Sequence, residues 1–262
     1  LGAALSCGRR SVGFNIERAA AMPQQHIVKS FDDELDRLHE IVLRMGRLAE
    51  QQLAEALDAL AKRDSPHARR VIEADAKVDD LERQAEEHSL RMLALRQPMA
   101  KDLRAIVSAL KIVAHIERIA DYAKNVAKRT LALATTPVVP AVANVPVLGQ
   151  AALAMVKDVI EAYHTGDADK AVDVWKRDQK LDDVYTALVR ELLTLMMEDA
   201  RTTAANVHLL SMAKNLERIG DHATDIAEDV HFLATGRRLD AERPKGGIEI
   251  DPVEGAAASA AT

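Results

Sequence analysis

Cysteine is almost missing from this 262-residue chain: Cys7 stands alone near the N-terminus. A single cysteine excludes an intrachain disulfide and a cysteine-based zinc site, and it fits a reducing, cytoplasmic setting. Aromatic residues make up only 3% of the chain, with 11 glycines and 8 prolines, a poor composition for the short strands and tight turns of an all-β fold. Positive charge is also in deficit: 35 Lys and Arg against 41 Asp and Glu give a formal net charge of −6. That sign argues against a nucleic-acid binder, which must neutralise several phosphates. Residues 130–156 carry no charge, yet Pro137, Pro140, Asn144 and Pro146 interrupt them, so a linker entering a helix is expected there and not a membrane span. The first 21 residues lack the basic start and continuous apolar run of a secretory signal. Because organised patterning begins just after Met22, natural translation is expected to start there.

What is abundant points to helices, for 48% of the residues are hydrophobic and 29% charged, a balance typical of amphipathic bundles. From Ser30, with Asp33 completing a capping box, Phe31, Leu35, Leu38, Val42, Met45, Ala49, Ala56 and Leu60 recur every three or four residues, predicting a first helix to about Lys62. Asp64-Ser65-Pro66 opens a second, with Val71, Val78, Leu81 and Ala85 on its inner stripe, ending before Gln97-Pro98. A third, to about Leu133, directs Leu103, Ile106, Val107, Leu110, Val113 and Ile116 toward the core. Three long helices with short connections read as an up-down-up bundle.

The plan then repeats, with helices expected from Pro146 to His164, Asp167 to Glu198 and Thr203 to Ala234, stopped near Gly236. An advance of 103 positions carries Asp75, Asp79, Asp80 and Leu90 onto Asp178, Asp182, Asp183 and Leu193, and an advance of 100 carries Glu117, Arg118, Ile119 and Asp121 onto Glu217, Arg218, Ile219 and Asp221. The lost three residues are assigned to the loop between the second and third helices of the later copy. The chain is therefore expected to be all-α: a disordered extension (1–25), a three-helix bundle (26–133), a linker (134–145), a second bundle (146–236) and a disordered tail (237–262).

Each copy carries two acidic pairs at helical i, i+4 spacing: Asp75 with Asp79 and Glu117 with Asp121, then Asp178 with Asp182 and Glu217 with Asp221. Asp75 shares a stripe with Val71 and Val78, which sets acid at the edge of the core. Two carboxylates about 6 Å apart repel by roughly 3 kcal/mol at an effective dielectric of about 20, so a positive partner is expected. Oxygen ligands suit magnesium, manganese, calcium or iron. A lone acidic pair is usually a solvated helix face; four at matching positions in two copies favour a site. Arg118 and Arg218 either neutralise these carboxylates or lie free on the surface, the two readings being evenly weighted. His115 and His222 lie beside the motifs without the Glu-x-x-His spacing of di-iron bundles, because Ala120 and Gly220 hold that position. Trp175, Met196, Met197 and Met212 are read as core. Neither a phosphate-binding glycine loop nor a nucleophile–base grouping stands out.

The run from His26 to Asp36 (HIVKSFDDELD), the segment Pro98–Arg104 (PMAKDLR), and the paired motifs ERIADYAKN at Glu117 and ERIGDHATD at Glu217 closely resemble the PhoU family, accessory and regulatory proteins of bacterial high-affinity phosphate transport. The resemblance spans about residues 26–235. It implies two three-helix bundles related by a pseudo-twofold axis, a homodimer, no catalytic activity, and metal clusters at the acidic pairs. The ligands would be Asp75, Asp79, Glu117 and Asp121 in one bundle and Asp178, Asp182, Glu217 and Asp221 in the other. The cofactor would be a divalent or trivalent ion, with iron, manganese, magnesium and zinc all open. Implied partners are the phosphate ABC transporter, through its ATPase subunit, and the phosphate sensor histidine kinase. A cytoplasmic protein would thus be held at the inner membrane, where it restrains phosphate uptake and the phosphate-starvation response. Asp225 replaces Asn125 of the first copy, so the two sites are expected to differ in charge, and Pro98–Arg104 has no counterpart in the later copy. The alternative is a metal-dependent enzyme acting on phosphate esters through the same carboxylates.

Overall fold

The computed structural model describes residues 22–136, 138, 139, 142 and 144–239, with side chains from residue 31 onward. Of the stretches expected to be disordered, 1–25 and 237–262, residues 1–21 and 240–262 lie outside these, whereas residues 22–25 are helical. The α-helices are α1 (Met22–Lys62), α2 (Ser65–Ala74), α3 (Ala76–Arg96), α4 (Lys101–Leu133), α5 (Val145–Thr165), α6 (Ala168–Lys176), α7 (Asp178–Glu198) and α8 (Thr203–Thr235). Helix α1 begins at Met22 with Pro23 in its first turn, where a missing N–H costs no bond. Ser30 and Asp33 therefore lie inside the helix and not at its start.

The predicted second helix of each copy is two helices. The chain breaks at Asp75 and at Arg177 without proline or glycine at either point. Asp64 and Asp167 cap α2 and α6, accepting the backbone N–H of His67 and Lys170 at 2.9 and 3.0 Å, which satisfies a donor the helix leaves unpaired. The α3–α4 and α7–α8 connections cover residues 97–100 and 199–202. They are equal in length, so the three residues missing from the later copy are absorbed at helix ends and not in the loop.

Within each copy the long third helix packs on the other two: α4 on α1, α2 and α3, and α8 on α5, α6 and α7. The copies join through α4 against α8, the most extensive helix contact in the molecule, and through α1 against α5. A methyl built on Gly46 would lie 2.6 Å from Ile160 Cδ1, and one on Gly149 would lie 2.3 Å from Leu57 Cδ2. Gly149 and Ile160 stand 103 positions after Gly46 and Leu57. The α1–α5 contact is thus reciprocal, as a twofold axis requires. One continuous core crosses this junction. Leu103 and Val107, expected inside, are each 41% exposed. They stand one turn apart near the α3–α4 tip, on the side of α4 turned from Ile106, Val113 and Ile116. Among the described residues no helix is long and apolar enough to cross a membrane.

Candidate metal centre

Asp75 lies at the α2–α3 break and is deeper than the core edge expected of it, only 5% exposed. Its Oδ1 accepts from Gln52 Nε2 of α1 at 3.0 Å, and its Oδ2 accepts from the Lys124 ammonium of α4. Lys124 Nζ also reaches Asp121 Oδ1 at 2.5 Å. The positive partner demanded by the acidic pairs is, in this copy, a lysine three residues beyond Asp121. Burial works against charge on both groups, but their hydrogen bonds and mutual attraction hold Lys124 up and Asp121 down, so both stay ionised.

Lys124 does not offset the whole cluster. Burial, then the Asp121 and Glu82 carboxylates, push Glu117 up to about 7, against the pull of Arg118. Burial and the Asp75 charge raise Asp79, and burial and Glu86 raise Glu82. At Glu117, Asp79 and Glu82 burial and the neighbouring carboxylates thus outweigh the pull of the nearby cations. Arg118 Nε stands 3.5 Å from Glu117, and its Nη1 stands 3.9 Å from Asp121, with the side chain 60% exposed. Both readings of that arginine hold in part.

In the second copy Asp178 is 2% exposed and accepts the Thr224 hydroxyl at 3.1 Å. Thr224 stands 100 positions after Lys124, so a neutral hydroxyl replaces an ammonium at the matching place. Glu217 Oε1 accepts from Lys214 Nζ at 2.8 Å. Asp182 of α7 and Glu217 of α8 both act on the Tyr185 phenol, which burial raises first. Arg218 Nη1 donates to Tyr122 Oη of the first copy at 3.4 Å, with the Glu217 and Asp221 charges nearby.

The eight carboxylates thus fall into two sets, each shared between facing helices. Their hard oxygen donors fit a small divalent or trivalent cation. Among the described residues the one group of three or more His, Cys, Asp or Glu ligand atoms lying within 4.8 Å of one another is elsewhere: His115, His222 and Asp225. No three of the eight carboxylates are drawn that close. Asp225, expected to alter the charge of the second set, also faces the first copy's His115 across the α4–α8 crossing.

Sequence reasoning missed Lys124, Gln52 and Glu82. The Lys124-to-Thr224 difference inside otherwise matching motifs was the available signal for the first; Gln52 lies on another helix and carries no local mark. Trp175 is buried as expected and donates to Glu228 at 3.1 Å. Met212 is buried and Met196 packs against the core, but Met197 is 80% exposed.

The PhoU domain family matches residues 42–130 and 145–230, one domain per copy. The chain belongs to the PhoU family. It is 48% identical over 222 residues to the phosphate-specific transport system accessory protein PhoU homolog of Caulobacter vibrioides, a match covering 84% of this chain and 96% of that one. The crystal structure of PhoU from Pseudomonas aeruginosa superposes with a TM-score of 0.77 at 39% identity, covering 79% of this chain and all of that one. The phosphate transport system regulatory protein PhoU from Streptococcus pneumoniae gives a TM-score of 0.74 at 29% identity, with 80% of this chain and all of that one covered. The all-α architecture of two three-helix bundles is the architecture of PhoU proteins.

Proposed function

We propose that this PhoU-family chain is an accessory regulator of phosphate uptake that restrains both the high-affinity phosphate transporter and the phosphate-starvation response. It acts by contact with the transporter's ATPase subunit and with the sensor histidine kinase. It works as a cytoplasmic homodimer recruited to the inner membrane by those partners, with metal ions held by the two carboxylate sets. The observation that carries the reading is the end-to-end match to relatives named as accessory and regulatory proteins of phosphate transport. Output through protein contact is also supported by apolar residues left in the open. Leu95, Met99, Leu103 and Val107 surround the α3–α4 tip, and Leu193, Met197 and Val207 the corresponding α7–α8 tip; exposed apolar groupings of this kind mark interaction surfaces.

Deleting the gene is expected to leave starvation-response genes switched on in abundant phosphate, read by transcript levels. Unchanged expression in a strain with no second copy would defeat the assignment. Complementation by a Glu117→Gln, Asp121→Asn, Glu217→Gln, Asp221→Asn variant separates the roles: full repression together with lost metal would detach metal binding from signalling.

A further inference from the structure

Among the described residues, the one group of three His, Cys, Asp or Glu ligand atoms drawn close together joins the two repeats. His115 projects from α4, and His222 and Asp225 project from α8. His115 Nδ1 and His222 Nδ1 are 3.1 Å apart, and Asp225 Oδ2 stands 3.6 Å from each of them. A tetrahedral ion with bonds of about 2.0–2.1 Å has ligand-to-ligand edges of about 3.3 Å. Three single atoms from three side chains thus already form one face of such a tetrahedron.

We infer that His115, His222 and Asp225 form a binding site for a zinc-class divalent ion that clasps the first repeat to the second across the α4–α8 crossing. Two imidazoles and one carboxylate suit zinc better than magnesium or calcium, whose preferred ligands are all oxygen. This site is distinct from the carboxylate sets, which offer oxygen alone.

The surroundings supply what such a site requires. His115 Nε2 lies 4.0 Å from Asp229 Oδ2, so the ring nitrogen turned from the site faces a carboxylate, as in sites where an outer carboxylate orients a ligating imidazole. Asp229 is in turn held by Lys111 Nζ at 3.1 Å. The His115, His222 and Asp225 side chains are 26%, 20% and 34% exposed, open enough for an ion to enter. Among the described residues the other end of the crossing carries no equivalent group. The internal repeat carries His115, His222 and Asp225 onto Asn215, Tyr122 and Asn125, and Asn125 and Asn215 there line a cleft with Lys128 and Arg129. The charge pattern is inverted between the two ends, and only one attracts a cation.

Zn²⁺ titrated into the full chain after chelator treatment tests this, with Co²⁺ absorption reporting the ligand geometry. The variant with Glu117→Gln, Asp121→Asn, Glu217→Gln and Asp221→Asn serves as background, so that failure at the carboxylate sets is read separately. In that background one tight Zn²⁺ site and a tetrahedral Co²⁺ visible band are expected, and adding Asp229→Asn should weaken Zn²⁺ binding by about 10-fold or more. His115→Gln with His222→Gln should weaken it by more than about 100-fold and abolish the band. Circular dichroism checks that helix content is kept. Should the double variant not fold, Asp225→Asn alone and the histidine ring NMR signals of the background protein decide: shifts confined to His115 and His222 on Zn²⁺ addition are expected. Undiminished Zn²⁺ affinity in the histidine variants, histidine signals indifferent to Zn²⁺, or no uptake at micromolar Zn²⁺ would each overturn the inference.

Discussion

Lys124 and Thr224 occupy one position of an internal repeat, and the difference between them separates the two carboxylate sets. In the first, an ammonium bridges a buried aspartate on α3's leading edge and a second aspartate on its own helix; in the second, a hydroxyl is shared between Asp178 and the Gly220 carbonyl of its own helix. Removing one partner from a buried pair leaves the other charge uncompensated, so Lys124→Met is expected to destabilise the chain by about 3 kcal/mol in urea unfolding. Lys124→Thr, which can restore the bond seen in the other copy, should cost about half as much. Glu117 gives a pH signature of opposite sense to ordinary acid unfolding. Its carboxyl rises from 4.5 to about 7 on folding, so between those values the folded chain holds more protons than the unfolded one, and stability falls as pH rises through that window. Glu117→Gln should flatten this slope and raise stability at pH 8 by about 1 kcal/mol, once screening around a partly exposed group is allowed for. Unfolding of chelator-treated protein at pH 5 and pH 8 measures it; an unchanged slope would mean that Glu117 is not the group responsible.

Helix ends and crossings show how the repeats diverged while keeping one path. Arg63 ends α1 in a left-handed conformation, φ 51°, and Gly166 ends α5 the same way, φ 66°; the two stand 103 positions apart. Glycine holds this conformation freely, whereas arginine is strained in it. The arginine compensates by donating to the Leu133 and Thr136 carbonyls at and just past the end of α4, where the Thr136 N–H and hydroxyl also meet the Leu133 carbonyl. The first repeat therefore ties the ends of α1 and α4 together where the second uses a plain turn. At the α1–α5 crossing the glycines have a different task, close approach. Gly149→Val would drive a branched side chain into Leu57, whose Cδ2, Cδ1 and Cγ already lie 2.3, 2.9 and 3.1 Å from a Cβ at that position. A loss of about 1–3 kcal/mol is expected in denaturant unfolding. A loss below about 0.5 kcal/mol would show that the crossing yields without cost, as most surface sites do.

As a whole the molecule is two repeats with one interior. Ile106, Ile112, Ile116 and Ile119 of α4 and Leu209, Leu216, Ile219 and Ile226 of α8 belong to a single cluster of buried side chains, so neither repeat can open without exposing apolar surface of the other. Calorimetry of the intact chain is expected to show one transition, with calorimetric and van't Hoff enthalpies in agreement. Two resolved transitions would mean that each repeat folds by itself. The same arrangement lays α4 and α8 side by side with unlike ends. At one, Lys128 and Arg129 line a cleft of about 380 Å³ with Asn125 and Asn215; at the other, Glu228 and Asp229 lie beside Lys111.

Helical periodicity, the offsets of 103 and 100 and the four acidic pairs were legible in the sequence because each depends on residues close along one helix or on a comparison of the chain with itself. Val71, Val78 and Leu81 are buried as their spacing requires. Tertiary structure alone decided what stands beside those residues. Leu103 and Val107 keep the apolar rhythm of α4 yet reach past its neighbours into the open. The breaks at Asp75 and Arg177 bear no proline or glycine to announce them. Lys124 meets Asp75 across 49 positions, and His115 meets His222 across 107. Contacts of that separation follow from how amphipathic helices pack and not from any local pattern, since many registers would bury the same apolar stripe. The register adopted by α4 and α8 is what sets two histidines and an aspartate around one point.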